Sequence, residues 1–368
     1  HQGQLRDAVD KHQEALDLQP PDALPGDRAW TLHALGAVER DRGRVVAATA
    51  LLAESLELHR ASGSVHGEAW ARLHLGQTLL RRGVIPDAER ELRQSLELYQ
   101  RSSDIRGQAW ALTQLGTARV CDGDSTAGVE QLRTALSRHR DNGDTRGEAW
   151  TLYHLGHAQE DNGDRVGAMR TMERARTMFN RMPDRFGVAC ARHHEARVTR
   201  DVRAETSGSL RNSGFARQLL TAARRDYQRA GVVHGEAWTC LELAVIDAGN
   251  EHPGRALELT DEALRLFTEG YGEGRPDLRG ADWAQFLRCT LLPLASPGGA
   301  EVGEAVAQEE IAQLVRDEHP LRDPRLTDAL DGYALMLERG QGLEPGWTAW
   351  RLGMVPSRSA SEVLGILT

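Results

Sequence analysis

The sequence holds a single lysine, Lys11, so arginine carries nearly all of its positive charge. With abundant Ala and Gly, that bias suits a GC-rich bacterial genome. Acidic side chains outnumber basic ones, and the formal net charge is −9. Such a balance argues against a nucleic-acid-binding surface, which carries a basic stripe. Cysteine is scarce: Cys121, Cys190, Cys240 and Cys289 form no CxxC pair, and three of them fall inside helical patterns. Reduced thiols in a cytoplasmic protein are therefore expected. Long apolar runs are missing, and none approaches the roughly 20 residues of a membrane-spanning helix. The first residues, His1-Gln2-Gly3-Gln4, are polar where a secretory signal would begin.

Catalytic signatures are also missing. The chain has no HExxH, no GxxxxGK[ST], no nucleophile elbow and no GxGxxG opening a helix. Gly270 to Gly274 is Gly-rich but follows a helical pattern and lacks Lys, so it reads as a loop. The His154, His157, His193 and His194 group has no ligand spacing and reads as scattered inter-helix histidines. The expectation is a protein that is not an enzyme and uses no cofactor or metal. It touches neither membrane nor nucleic acid directly.

What the chain has is a repeat. Gly147-Glu148-Ala149-Trp150 leads to Leu155-Gly156, and the same pattern recurs at Gly67–Gly76 and Gly107–Gly116. Ala29-Trp30 leads to Leu35-Gly36, and Gly235-Glu236-Ala237-Trp238 leads to Leu243-Ala244. Trp30, Trp70, Trp110 and Trp150 stand 40 residues apart. A fixed period of this size marks a repeat architecture.

Each unit reads as two helices. In 145–179 the first helix carries Trp150, Tyr153, His157 and Glu160 on one face. The turn is Asp161-Asn162-Gly163-Asp164, and the second helix presents Ala168, Met172 and Ala175. Gly36, Gly76, Gly116 and Gly156 sit inside first helices, where Gly costs about 1 kcal/mol relative to Ala. Facing Ala48, Ala88 and Ala168, they imply close helix approach. A column at the end of the second helices fixes the register: His59, Tyr99, His139, Phe179, Tyr227 and Phe267.

The array starts in mid-unit at Gly3, Ala8 and Leu16, as expected of a piece cut from a longer polypeptide. A fifth unit, about 187–231, is irregular. It lacks the Trp and carries an insertion of flexible composition at Arg203–Ser213. A sixth unit covers 235–267, and a seventh starts at Gly280-Ala281-Asp282-Trp283. The expected division is an array over 1–292 and a helical cap over 293–368, with helices at 301–319, 323–339 and 359–367 and a Trp-bearing segment at 346–354.

Leu35, Gly36, Gly43, Ala48 and Ser55-Leu56 together resemble the tetratricopeptide repeat. Its usual unit is about 34 residues, and the six extra ones read as inter-unit loop, as in Arg60 to Gly67. The resemblance implies an all-α, right-handed superhelical solenoid of about seven helix-turn-helix repeats with a helical C-terminal cap. It also implies that first helices line a concave groove. The 40-residue unit further resembles the C-terminal arrays of actinobacterial STAND-type NTPases and antibiotic-regulatory transcription factors. That implies an effector-sensing or autoinhibitory part of a larger regulator. Its partners would be a protein or peptide in the groove, and an N-terminal NTPase or DNA-binding portion of the same polypeptide. Two other readings remain open: an intracellular peptide receptor of the quorum-sensing type, and an assembly scaffold or homo-oligomerisation module.

The groove candidates under this resemblance are Trp110, Trp150, Tyr153, His157, His193, Arg197, Arg200 and Trp238. His33, Leu73, Gln77, Thr113 and Thr117 fall on the same face. Repetition in every unit favours packing between units as the main role of the Trps. Arg197 and Arg200 are expected to attract an acidic partner without supporting the fold.

Overall fold

The computed structural model describes residues 5–20, 24–207, 210–211, 213–269 and 277–317, with isolated positions 319, 322, 326, 327 and 330. The loop expected at Gly270–Gly274, the helix at 323–339 apart from three of those positions, the segment at 346–354 and the helix at 359–367 lie outside the described residues. Within them the chain forms fifteen helices and no strand. The helices gather into two compact units. One comprises the residues up to His194 with Arg229–Val232, the other Glu195–Gln228 and the described residues from Val233 onward.

In the first unit α1 (Leu5–Asp17) packs on α2 (Pro25–Asp41), followed by α3 (Val45–Ala61) and α4 (Val65–Arg81). The series continues with α5 (Ile85–Arg101), α6 (Ile105–Cys121), α7 (Ser125–Asp141), α8 (Thr145–Asp161) and α9 (Arg165–Asn180). Successive helices pack as antiparallel hairpins, α2 on α3, α4 on α5, α6 on α7 and α8 on α9.

The extra length of the repeat is not in its loops. Arg60 and Ala61 end α3, Val65 to Gly67 begin α4, and only Ser62-Gly63-Ser64 joins them. The six additional residues lengthen the helices, because the next cap arrives only three residues after the last helix ends. Ser64 Oγ accepts from Gly67 N–H at 3.2 Å, and the carboxylates of Asp104 and Asp144 accept from Gly107 and Gly147 at 2.8 and 3.1 Å. Such caps satisfy amide donors that a helix start leaves unpaired.

Each turn from the one joining α2 and α3 to the one joining α8 and α9 holds one left-handed residue. Gly143 fills that place at φ 65°, while Ser103, 40 residues earlier, adopts φ 55° with a Cβ that opposes it. Ser103→Gly should therefore raise stability by about 1 kcal/mol, read as a higher urea midpoint at unchanged slope.

Small residues mark two different contacts. A Cβ on Gly36 would stand 2.8 Å from Leu52 Cγ, and one on Gly116 would stand 2.9 Å from Leu132 Cγ. These glycines let the hairpin close. The Gly of Gly-x-Ala-Trp serves the column instead: the rings of His59, Tyr99, His139, Phe179, Tyr227 and Phe267 lie over Gly67, Gly107, Gly147, Gly187, Gly235 and Gly280. The motif is thus a seat for the ring that ends the preceding helix.

The helix α10 (Arg185–Ser207) runs for 23 residues, and α11 (Gly214–Ala230) follows. Arg203 to Ser207, expected to be flexible insertion, are helical. They extend α10 by about a turn and a half, since nothing before Gly208 breaks the pattern. In the second unit, Ala196, Ala216, Leu219, Leu220, Leu243 and Ile246 form one core. There α12 (Val233–Gly249) pairs with α13 (Pro253–Glu269), and α14 (Leu278–Ala295) with α15 (Ala300–Arg316). Pro293, where the expected cap begins, lies inside α14.

Candidate functional site: a tryptophan and arginine cleft

The helices α2, α4, α6 and α8 also touch one another in order. They place a cleft of about 300 Å³ on their shared face. Helical spacing decides what lines it. From Trp70, steps of four, seven and eleven residues reach His74, Gln77 and Arg81, all in the cleft wall. From Ala29, one residue before the Trp30 position, the same steps reach His33 and Arg40.

Trp70, Trp110 and Trp150 are half-buried and line the cleft. One part of each ring has a structural partner. Trp110 stands edge-on to His139 at 5.2 Å, and Trp150 to Phe179 at 4.9 Å. The tryptophans therefore pack on the column residue of their own repeat and turn the rest of the indole to the cleft. The packing role weighed from the sequence is seen here within a repeat, and the remaining indole surface lines the cleft.

Among the described residues, the cleft carries Arg40, Arg81, Arg106 and Arg146 against one lining carboxylate, Asp41. Arg40 donates to Asp41 Oδ1 at 2.8 Å, meets His74 Nδ1 at 2.6 Å and donates to Gln77. Arg81 lies 3.6 Å from the same Asp41 oxygen and donates to the Arg40 carbonyl at 2.8 Å. Burial, then Arg40, push Arg81 down to about 10, which leaves it charged at neutral pH. Arg106 and Arg146, more than half exposed, reach the cap carboxylates of Asp144 and Asp184, 38 residues on, at 3.2 and 3.4 Å.

Asp144 is more than a cap. It also meets His139 Nδ1 at 3.1 Å, and His139 Nε2 meets Thr113 Oγ1 at 3.2 Å. Burial works against its carboxylate, but His139, Gly147 N–H and Arg106 outweigh it and hold the group well below the usual range.

The cleft histidines are neutral. Burial, then His59 and Arg40, push His33 down to about 3, and burial and Arg81 push His154 down to about 3. Burial, with His33 and Arg40, lowers His74 as well. These folded values lie below the unfolded one of about 6.5, so the folded chain binds fewer protons. Its stability is whole above pH 6.5 and falls as pH drops toward 3. At pH 5.5 His33, 7% exposed, should cost the fold about 1.4 kcal/mol. Urea midpoints at pH 7.5 and 5.5 should show the loss, and His33→Asn should reduce it.

The sequence candidates divide sharply by location. Trp110 and Trp150 line the cleft. Tyr153, His157 and His193 are buried in the first unit, and Tyr153 and His157 pack edge-on at 4.6 Å. Arg197, Arg200 and Trp238 are buried in the second unit. Arg200 donates to Glu242 and lies 2.8 Å from Asp201, so it supports the fold, against the sequence expectation. Thr113 and Thr117 are buried as well, whereas His33, Leu73 and Gln77 line the cleft. Arg40, His74, Arg81, Arg106, Arg146 and Phe186 were missed. His74 and Arg81 follow Trp70, and Arg106 and Arg146 precede Trp110 and Trp150, at turn-by-turn spacing, but the set differs from repeat to repeat and leaves no motif.

Among the described residues, no group of three His, Cys, Asp or Glu could hold a metal, and no helix is long and apolar enough to cross a membrane.

Comparisons with known proteins bear on the fold. The tetratricopeptide repeat family model matches residues 27–101. No curated protein sequence matches the chain. Among solved structures, BtubC from P. vanneervenii is 18% identical with a TM-score of 0.51, covering 66% of this chain and 94% of that one. A Signal Transduction ATPase with Numerous Domains (STAND) protein with a tetratricopeptide repeat sensor, from Pyrococcus horikoshii, is 13% identical with a TM-score of 0.54. That match covers 84% of this chain, which spans 44% of the Pyrococcus protein. Residues 27–101 are tetratricopeptide repeats, and the chain has the all-α solenoid fold of a tetratricopeptide-repeat array, a protein-interaction architecture.

Proposed function

We propose that this chain is a non-catalytic binding module that takes a protein segment or peptide in the cleft of its first unit. In this reading it is the effector-sensing or autoinhibitory part of a larger bacterial signalling or transcription regulator. One observation carries the reading. Four consecutive first helices converge three half-exposed indoles and four guanidiniums on one open cleft, in a chain whose net charge is −9. Rigid aromatics and arginine dominate protein-binding hot spots. The Pyrococcus protein, described as having such an array as its sensor, supports the sensing role, as does the cytoplasmic setting expected from the sequence.

A ligand that binds only the folded chain raises its melting temperature. A decapeptide library screened by thermal shift should yield binders whose effect is lost in Trp110→Ala. Binders unaffected by that substitution, or none at all, would argue against the cleft as the site. A sensing role further requires that such a binder change the output of the intact regulator.

A further inference from the structure

We infer that the cleft takes a purine nucleotide lying along α6, with its phosphate on Arg106, its base on Trp110 and the edge of the base at Gln114. This goes beyond the peptide reading and does not rest on it. A nucleotide and a peptide segment exclude each other from Trp110, so the small molecule acts as an effector that displaces the segment.

Two neighbouring helices present side chains in the same order. On α6, Arg106, Trp110 and Gln114 stand four residues apart, and on α8 so do Arg146, Trp150 and His154. That spacing sets each trio one above another on a single helix face, and all six line the cleft. Each row spans about 12 Å and runs from guanidinium through indole to a neutral hydrogen-bonding group. At the charged end Arg106 is 66% exposed. Asp144 accepts from its Nε and Nη2 at 3.2 Å, which fixes the guanidinium plane and leaves Nη1 for a ligand oxygen. This is also the N-terminal end of α6, where the helix dipole favours an anion. Guanidiniums bind phosphate through paired N–H donors. In the middle, Trp110 is held edge-on by His139 and offers a fixed aromatic surface on which a base stacks. At the far end the Gln114 side chain belongs to a residue 5% exposed, and among the described residues its amide has no hydrogen-bond partner. An amide places a donor and an acceptor side by side, the pattern that reads an adenine edge. His154 beside it is neutral, since burial and then Arg81 push it down to about 3. An anionic end, a flat middle and an uncharged polar edge together describe a nucleoside monophosphate. The cleft volume of about 300 Å³ lies at the small end of ligand pockets and suits one such molecule. The α6 row is the more complete of the two, because it ends in an amide.

The test is calorimetric titration of the whole chain with AMP, GMP, CMP, UMP, adenosine and inorganic phosphate. AMP and GMP should bind about tenfold tighter than CMP and UMP, because a purine covers more of the indole. AMP should bind at least about tenfold tighter than adenosine, and inorganic phosphate should give no measurable heat. Arg106→Gln should narrow the ratio of AMP to adenosine affinity about tenfold, and Trp110→Ala should weaken both ligands. Gln114→Leu, which touches no ion pair, is the second variant and should weaken AMP severalfold. Equal affinity for AMP and adenosine, or phosphate binding as tight as AMP, would overturn the proposal. So would an unchanged ratio in Arg106→Gln, AMP binding that survives Trp110→Ala, or no nucleotide binding at millimolar concentration. Unchanged AMP affinity in Gln114→Leu would overturn the role given to Gln114. Decapeptides that bind through Trp110 while every nucleotide fails would strike this inference and leave the peptide reading standing. Nucleotides that bind while no decapeptide does would do the reverse.

Discussion

Arg200→Ala should lower the stability of the second unit by about 3–5 kcal/mol, the largest single loss expected in the chain. The Arg200 and Glu242 side chains are both fully buried, and Arg200 also pairs with Asp201. Asp201 and Glu242 offset the burial of Arg200 and raise its pKa further. Removing the arginine strands the Glu242 carboxylate in the interior, where ion hydration is gone. Truncating both partners is a different matter, since an apolar pair of similar volume is often neutral. Arg200→Leu with Glu242→Leu should therefore recover much of the single-variant loss. A double-mutant cycle in urea separates the pair energy from the packing. Arg200→Ala with unchanged stability and weakened ligand binding would restore the groove role expected from the sequence.

Trp110→Ala should have the opposite profile. Its ring is half-buried, with His139 on one side and the cleft on the other. The fold should lose about 1–2 kcal/mol, below the range for a fully buried Trp. Affinity for a cleft ligand should fall about 30-fold or more, as expected for a central aromatic anchor. Trp150→Ala should behave alike through Phe179 and the same cleft. Calorimetry beside a urea titration measures both terms on one sample. Trp238 provides the contrast. At 2% exposure in the second unit, its loss should register in stability.

These two substitutions show where the sequence was readable. Period 40, the Trp register and the glycines inside first helices all reach the surface of the sequence, because every repeat must solve the same packing problem. The ring column at His59, Tyr99, His139 and Phe179 was legible for the same reason, and the structure adds its seat on the Gly of the next repeat. Repeat length was legible, but its distribution was not. Turn residues such as Ser62-Gly63-Ser64 allow either a short turn or the centre of a longer loop, and only the caps decide. The cleft residues were half-legible: a helical wheel puts His33, Leu73 and Gln77 on the groove face. It also puts Tyr153, His157, Arg197 and Arg200 there, and these are buried. One helical face is covered or open depending on the helix stacked beside it, which periodicity within one helix does not encode. Arg200 illustrates this best, because Glu242, its buried counter-ion, lies 42 residues away.

The central claim is that a ligand sits on Trp70, Trp110 and Trp150. The chain has eight tryptophans, so fluorine NMR of a 5-fluorotryptophan-labelled sample resolves the question, with each signal assigned by a Trp→Phe variant. On addition of the tightest peptide from the decapeptide library, the signals of Trp70, Trp110 and Trp150 should move together while those of Trp238 and Trp283 stay. Movement confined to other tryptophans, with these three unchanged at saturation, would contradict the account.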